Sequence, residues 1–284
     1  MQTAQTIPTV FPNTIPNAAD IPKLTHREAG ILAREELTRF IQLVETLNEA
    51  DWNRPTYCTR WNIRDMLAHQ AGAYAGYTSW AEFRRQMIDN PYLKTEKQQV
   101  DGINRRQIED RTGKTPAELL AELREVGPKA INTRQKLPAL LRALPVMPMG
   151  PPVGTAPVGY LTDDIYPRDT WSHRLDICHA TGREMQLTPE HDGRLTALIV
   201  RDLNGILRPK LGGKTVVFEL TGPTGGTWQI GRGTPSATLK MDTLDFHLLA
   251  SQRIPAHSLG QDRVSISGDL ELARHTLENT VVLY

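Results

Sequence analysis

Residues 168–176 read Arg-Asp-Thr-Trp-Ser-His-Arg-Leu-Asp, and this stretch indicates both the fold and the chemistry. In a helix, Asp169 precedes His173 by one turn and Asp176 follows it by three residues, so all three side chains lie on one face. A carboxylate and an imidazole one turn apart can bind the same divalent ion. The alternative is a surface pair worth about 0.2–0.5 kcal/mol, and these residues alone leave both interpretations open.

The composition is that of an ordinary globular protein, with 284 residues and a net charge of +1. This charge balance predicts neither a nucleic-acid partner nor an anionic membrane surface, and no apolar run is long enough to cross a bilayer. Residues 1–22 carry four prolines and lack the pattern of a secretory signal, so we predict a flexible N-terminal segment. Cys58 and Cys178 form no disulfide framework, which favours the cytoplasm.

Apolar periodicity predicts helices up to about residue 208. The predicted helices run from Thr25 to Leu47, from Asn62 to Met87, from Val100 to Asp110, from Thr115 to about Ile131, from Thr162 to Ala180 with a kink or late start at Pro167, and from Thr188 to Leu207. Short β-type runs follow at 216–220, 227–230, 237–241 and 264–267, with helices at 242–251 and 269–278 between and after them. We therefore predict a helical domain over 23–208 and a small α+β domain over 209–284.

His69 lies on the second predicted helix, with Gly72 and Gly76 on the same face. Small residues beside a histidine leave room for a closely packed helix or for a ligand, and we predict that these two glycines contact a cofactor. His69 itself suits either a metal ligand or a hydrogen-bonded core histidine. The Pro- and Gly-rich segment from Leu144 to Tyr160 directly precedes the candidate site, and we expect it to cover that site as a lid.

With both helical stretches in view, the chain resembles the mycothiol-dependent maleylpyruvate isomerase family, which belongs to the DinB-like helical metalloenzymes. The matching residues are 55–56, 61–69, 169–176 and 180–183, followed by 220–222, Trp228, Phe246 and 268–269, which resemble a sterol-carrier-protein-like C-terminal domain. The resemblance covers nearly everything after the N-terminal segment. It implies a four-helix DinB-like bundle followed by that small α+β domain.

The resemblance also implies three ligands to a divalent metal, most often zinc. His69 matches the first histidine, Asp169 the carboxylate and His173 the second histidine. Asp169 stands where glutamate is frequent in the family, which shortens the carboxylate side chain by one methylene. Asp176 would orient a ligand histidine or Arg174 and so serve catalysis. Arg253 matches an arginine that the family is thought to use near the active site, although an ordinary surface arginine is an equal alternative.

Three protein ligands leave a coordination position open, and an open zinc site can hold a thiol as thiolate. We therefore expect a mycothiol-using transferase in which a zinc-bound thiolate attacks an electrophilic small molecule. If the thiol leaves after bond rotation, the same first step makes a maleylpyruvate-type cis–trans isomerase. Two further alternatives are a zinc hydrolase with Asp65 as general base and a non-catalytic metal- or thiol-binding module. The sequence does not distinguish a monomer from a homodimer.

Overall fold

The computed structural model describes residues 15–284. Within this range the helices are α1 (His26–Glu45), α2 (Ile63–Ala75), α3 (Trp80–Met87), α4 (Gln99–Glu109), α5 (Pro116–Gln135), α6 (Ala139–Arg142), α7 (Tyr166–Thr181), α8 (Arg194–Leu207), α9 (Thr243–Ala250) and α10 (Leu270–Glu278). The strands are β1 (Met147–Gly150), β2 (Gly154–Ala156), β3 (Val216–Thr221), β4 (Gly226–Ile230), β5 (Ala237–Asp242) and β6 (Val264–Gly268). A search of the described helices finds none with the length and apolar character needed to span a membrane.

Three helices of the N-terminal unit begin at the polar residues that the sequence pattern indicates. The side chains of Thr25, Asn62 and Thr115 each accept a hydrogen bond from the backbone three residues later, and an acidic side chain at that later position bonds back to the capping residue. Each such cap stabilises its helix by about 1 kcal/mol. The predicted starts of α1, α2 and α5 are therefore confirmed.

Residues 62–87 form two helices, so the prediction of one continuous helix was wrong. Helix α2 ends at Ala75, and α3 begins after Ser79, whose hydroxyl accepts a hydrogen bond from the Glu82 N–H at 3.2 Å. Serine favours such a cap over a place inside a helix. The turn between the helices brings Gln86 of α3 back to α2, where Gln86 is only 1% exposed.

Helices α1, α2, α5 and α7 pack around one apolar core, which makes the N-terminal unit a four-helix bundle. Phe40, Leu67 and Leu123 are fully buried members of that core, and α7 contributes Ile177. Burial of each such side chain stabilises the fold by about 1.5–3 kcal/mol. The predicted fold class, a DinB-like bundle followed by a small α+β unit, is confirmed.

Helix α7 lies between two apolar cores. Ile177 contributes to the bundle core, whereas Trp171, Leu175 and Cys178 pack in the core of the C-terminal unit. Residues 160–165 form a π-helical turn before α7, and Pro167 lies in its first turn, so the helix starts late, as expected. Because both sides of α7 are covered, its polar side chains are held inside the protein rather than in solvent.

The C-terminal unit is built on a four-stranded sheet in the order β4–β3–β5–β6. Strand β3 is antiparallel to β4 and parallel to β5, and β6 is antiparallel to β5. These strands, α9 and α10 lie where the sequence pattern predicts them. After α9 the chain turns sharply through Gln252, which has a left-handed φ of 59°. The N–H of Arg253 then bonds to the Leu248 carbonyl at 2.9 Å, which ends the helix and turns the chain back.

Helix α8 packs with the sheet rather than with the bundle. Its buried Leu195, Ile199 and Leu203 share one core with Val216 and Phe218 of β3. The predicted domain limits, 23–208 and 209–284, place this helix in the helical domain. We propose instead that the boundary lies before α8, because its apolar face is buried by the C-terminal unit.

Residues 15–22 are docked on the C-terminal unit, which corrects the prediction of a flexible segment for this part of 1–22. The Pro16 carbonyl accepts a hydrogen bond from the Gln229 N–H at 2.9 Å, and the Asn17 side chain donates to the Gly231 carbonyl at 2.6 Å. Ala18 is fully buried in the same core as the sheet. These contacts order the segment despite its prolines, and the rest of the prediction, residues 1–14, lies outside the described residues.

The Pro- and Gly-rich segment before α7 contains a small hairpin instead of an irregular loop. Strands β1 and β2 pair antiparallel, and the Val158 N–H bonds back to the Leu144 carbonyl at 3.0 Å. Pro152 and Val153, in the turn of the hairpin, line a groove beside Arg201 of α8.

Candidate metal centre and its cleft

His69 of α2 and both Asp169 and His173 of α7 converge on one point. His69 Nε2 lies 3.3 Å from Asp169 Oδ2, and His173 Nε2 lies 3.4 Å from Asp169 Oδ1. Donor atoms of all three residues lie within 4.8 Å of one another. Tetrahedral ligands at about 2.0–2.2 Å from zinc are themselves about 3.4 Å apart. The spacing of the three side chains therefore fits a divalent ion between them.

Charge couples these three side chains. Burial raises the pKa of the Asp169 carboxyl, but the imidazoles of His69 and His173 hold that pKa well below its ordinary value. Burial lowers the pKa of His173, but the Asp169 carboxylate raises it well above the ordinary value. Opposite charges at this distance favour the ionised forms, so the His173 ring would release a proton on binding a metal. Asp169 is therefore an ionised carboxylate, as a ligand to a cation must be.

Both histidines are held through Nδ1, which leaves Nε2 for the common point. His173 Nδ1 lies 3.0 Å from Asp176 Oδ2, and His69 Nδ1 lies 2.8 Å from Gln107 Oε1 of α4. An acceptor on one ring nitrogen fixes the tautomer and orients the other nitrogen toward a metal. Asp176 thus orients His173, and its role beside a bound metal stays a prediction.

Asp169 is oriented by a glutamine that the sequence analysis missed. Gln70 Nε2 donates a hydrogen bond to Asp169 Oδ2 at 2.6 Å, and the Thr170 hydroxyl donates to Gln70 Oε1 at 2.9 Å. Gln70 is fully buried. Its position next to His69 was a signal, although neighbouring residues on a helix usually face different directions.

Arg253 reaches α7 from the turn after α9 and pairs with Asp176. Its Nε and Nη2 atoms lie 2.5 and 2.6 Å from the two Asp176 oxygens, and Nη2 also donates to the Ser172 hydroxyl at 3.0 Å. Burial raises the pKa of Asp176, but Arg253 and His173 bring it below the ordinary value. Arg253 therefore lies beside Asp176 and Ser172 of α7, and its predicted use near an active site stays a prediction. The alternative partner of Asp176, Arg174, instead pairs with Glu36.

A cleft of about 760 Å³ opens beside the three side chains, between the bundle and the C-terminal unit. Asp169 and His173 form part of its wall, and the Trp61 ring packs 4.9 Å from the His69 ring. The remaining walls come from residues 57–60, Asp65, residues 101, 104, 105, 108 and 109, Ser172, residues 251–253 and residues 282–284. The lid prediction was wrong, because residues 144–160 are not in the lining and their hairpin packs elsewhere.

Gly72 and Gly76 do not line the cleft, which corrects their prediction as cofactor contacts. Both are buried. A Cβ atom at Gly72 would lie 2.5 Å from Gln107 Cβ, and one at Gly76 would lie 3.0 Å from Gln86 Oε1. The missing side chains therefore make room for α4 and α3 to pack against α2, which was the other interpretation that the sequence left open.

Replacing Gly72 with alanine is expected to lower the free energy of unfolding by about 1–3 kcal/mol, because the new methyl group overpacks the contact with α4. Gly205 of α8 is a matched control, since nothing lies within 4 Å of its added Cβ. Alanine there is expected to stabilise the helix by up to about 1 kcal/mol. Urea unfolding of both variants measures the difference. Equal effects at the two positions would contradict the close packing at Gly72.

Asp65, the general base of the hydrolase alternative, and Cys58 also lie in the cleft wall. The Asp65 carboxylate accepts a hydrogen bond from the Asn62 N–H at 3.4 Å and pairs with Arg64 at the same distance, so it serves the start of α2. Cys58 is a free thiol whose sulfur lies 3.9 Å from Asp176 Oδ2. The hydrogen bonds of Asp65 and Cys58 are therefore made to residues other than Asp169.

The N-terminal unit is a four-helix bundle that directs two imidazoles and a carboxylate to one point, beside a cleft shared with an α+β unit. This arrangement defines the class as a DinB-like helical protein with side chains suited to bind a metal. A family model described as "Mycothiol maleylpyruvate isomerase N-terminal domain" matches residues 33–178, just over half of the chain. The chain belongs to the mycothiol maleylpyruvate isomerase family. A second model, described as "SCP-2 sterol transfer family", matches residues 191–278.

Solved structures with the same architecture include a mycothiol-dependent maleylpyruvate isomerase and its histidine-to-alanine mutant, with TM-scores of 0.55 and 0.54. Each is 14% identical to this chain, and each comparison covers 90% of this chain and 98% of the solved chain. At this identity the likeness establishes the shared fold alone. No curated protein matches the chain.

Proposed function

We propose that the protein is a metal-dependent, mycothiol-using enzyme in which the thiol adds to an electrophilic small molecule. The observation that carries the proposal is the convergence of His69 Nε2, His173 Nε2 and the Asp169 carboxylate beside the cleft. Three protein donors leave at least one position for a ligand from solution, which is the pattern of catalytic rather than structural sites. Family membership supports mycothiol as the thiol.

His69, Asp169 and His173 would hold the ion, for which we propose zinc. A divalent ion held there would lower the pKa of a bound thiol and so supply thiolate at neutral pH. The protein's own contribution is to keep both rings and the carboxylate directed at one point through Gln107, Asp176 and Gln70. Two imidazoles and one carboxylate also suit ferrous iron, so elemental analysis of the purified protein identifies the metal.

Arg253 is proposed to stabilise negative charge that develops on the substrate. Its Nε and Nη2 atoms are bound by Asp176, whereas Nη1 makes no hydrogen bond to any described residue. Arg253 also lines the cleft. A guanidinium whose other donors are held by a buried carboxylate is preorganised, which is how charged groups stabilise a developing oxyanion or enolate most effectively.

Transfer and isomerisation share the first step, in which a carbon–sulfur bond forms between thiolate and substrate. If that bond persists, the product is a thioether and the enzyme is an S-transferase. If the bond breaks after rotation about the adjacent carbon–carbon bond, the thiol is regenerated and the enzyme is a cis–trans isomerase. We propose thiol transfer or exchange first, and isomerisation is the second candidate because the solved relatives are named for it.

Turnover is expected to require both the metal and mycothiol. The test incubates zinc-loaded protein with maleylpyruvate and with other electrophiles, with and without mycothiol, and identifies the products by mass spectrometry. A thioether supports transfer, and a rearranged acid without sulfur supports isomerisation. Thiol-independent hydrolysis would contradict the proposal and favour the hydrolase, whereas tight metal binding without turnover on any substrate would favour a binding module.

A further inference from the structure

We infer that Gln86 and Gln107 form a hydrogen-bond relay that fixes which ring nitrogen of His69 carries hydrogen. This inference rests on the metal centre of the proposed function. The relay runs from the Gly72 carbonyl through the two glutamines to the histidine ring. Gln86, Gln107 and His69 are 1, 2 and 3% exposed, respectively. Bulk water therefore does not compete for these hydrogen bonds, and each partner has to be satisfied inside the protein.

The direction of the relay is set by its first acceptor. A backbone carbonyl can only accept, so Gln86 must present Nε2 to the Gly72 oxygen, which lies 2.9 Å away. The Glu82 carboxylate, 3.4 Å from the same nitrogen, favours the same orientation. Gln86 Oε1 is then left for Gln107, which must present its own Nε2, at 2.9 Å. This leaves Gln107 Oε1 facing His69 Nδ1 at 2.8 Å.

The consequence for His69 is a single ring arrangement. Because Gln107 Oε1 is an acceptor, Nδ1 of His69 must carry a hydrogen, so Nε2, which lies 3.3 Å from Asp169 Oδ2, is the nitrogen whose lone pair would be free to bind a metal. If the Gln107 amide were reversed, Nδ1 would face a donor and Nε2 would hold the hydrogen, which is incompatible with a metal ligand. The Gly72 carbonyl therefore determines, through three hydrogen bonds, which nitrogen of the His69 ring carries hydrogen.

The two buried glycines of α2 make the relay possible. The absence of a Cβ at Gly72 lets Gln107 approach α2, and the Gly76 backbone leaves space for the amide of Gln86. The turn before α3 brings Gln86 within reach of the Gly72 oxygen. The glycines thus act on the candidate metal centre indirectly, through the glutamines that pack against them.

The relay supports His69 without adding charge. His173 is supported by the Asp176 carboxylate, but Arg253 compensates that charge through a bidentate ion pair. The donor set then contributes one negative charge, from Asp169. A divalent cation would retain one positive charge there, which is the balance that favours binding of one anionic sulfur.

The relay is tested by replacing Gln107 with leucine, which is close in size but lacks an acceptor. Chelator competition measures zinc affinity, and ¹⁵N-resolved NMR of the histidine rings detects a slowly exchanging Nδ1–H on His69, with or without metal. The Gln107→Leu variant is expected to bind zinc at least about tenfold more weakly, as for other outer partners of ligand histidines, and to lose protection of that proton. Gln107→Glu keeps an acceptor toward His69 and is expected to retain the protected Nδ1–H, although it removes the donor to Gln86 Oε1.

Gln135→Leu is the matched control, because Gln135 also donates to a backbone carbonyl, that of His26 at 2.8 Å, and packs against Gly30. It is expected to leave zinc affinity unchanged.

Equal zinc affinity of Gln107→Leu and the parent protein would overturn the relay. If Gln107→Leu does not fold, the ring NMR of the parent protein still decides, since a His69 Nδ1 without hydrogen contradicts the inference. A parent protein that binds no zinc but shows the Nδ1–H would refute the metal centre and retain the relay.

Discussion

Replacing His173 with alanine is expected to abolish stoichiometric zinc binding while the bundle stays folded. The variant keeps only His69 and Asp169. Removal of a direct ligand should lower the zinc affinity by more than the roughly 10–100-fold that follows removal of a side chain hydrogen-bonded to a ligand. The bundle core is formed by other side chains, among them Phe40 and Leu67, so most helicity should persist. Elemental analysis measures zinc per chain, and circular dichroism measures the helical content.

His179 offers a control on the same helix. Its side chain is exposed, and its Nε2 lies 2.8 Å from the Tyr57 hydroxyl, outside the donor set. His179→Ala is expected to bind one zinc per chain, like the parent protein. Full zinc occupancy in His173→Ala would show that His173 is not a ligand.

Replacing Arg253 with alanine is expected to lower the free energy of unfolding by about 3–5 kcal/mol, because it leaves a buried carboxylate without its partner. Asp176 is fully buried, and Arg253 is its bidentate partner. Turnover should also fall, since the variant lacks the guanidinium in the cleft wall. Urea unfolding and steady-state kinetics on the zinc-loaded variant measure the two effects separately.

Arg263→Ala is the control for Arg253→Ala, because Arg263 pairs with Asp245 at a more exposed position in the same unit. Such a pair is worth about 0–1 kcal/mol. The pKa of Asp176 is below its ordinary value in the folded protein. The ionised Asp176 carboxylate therefore stabilises the folded protein at pH values above its unfolded pKa of about 4. This stabilisation is lost as the pH falls through the lower folded pKa. An Arg253→Ala variant as stable as Arg263→Ala at pH 7 would contradict the role of the buried pair.

The parts that the sequence predicted well are those governed by local rules. The spacing of Asp169 and His173 along one helix face, and the capping residues Thr25 and Thr115, depend only on helical geometry. The short β-type runs are bounded by glycine, proline or aspartate, and they became strands where expected. Such features need no knowledge of which elements are neighbours.

The parts that the sequence did not predict depend on contacts between distant elements. Gln107 lies 38 positions from His69, and its role arises only because Gly72 lets α4 approach α2. The pairing of Arg253 with Asp176 joins residues 77 positions apart, and Arg253 reaches α7 because Gln252 adopts a left-handed backbone conformation. Periodicity marks both regions as partly buried but cannot pair them.

Zinc-edge X-ray absorption of the zinc-loaded protein, before and after addition of mycothiol, tests the proposed metal centre most directly. If His69, Asp169 and His173 hold zinc, we expect nitrogen and oxygen scatterers at about 2.0–2.2 Å from these three ligands, and a new sulfur scatterer at about 2.3 Å once the thiol is present. A spectrum that gains no sulfur on saturation with mycothiol would contradict the central claim that His69, Asp169 and His173 hold a metal that binds the thiol.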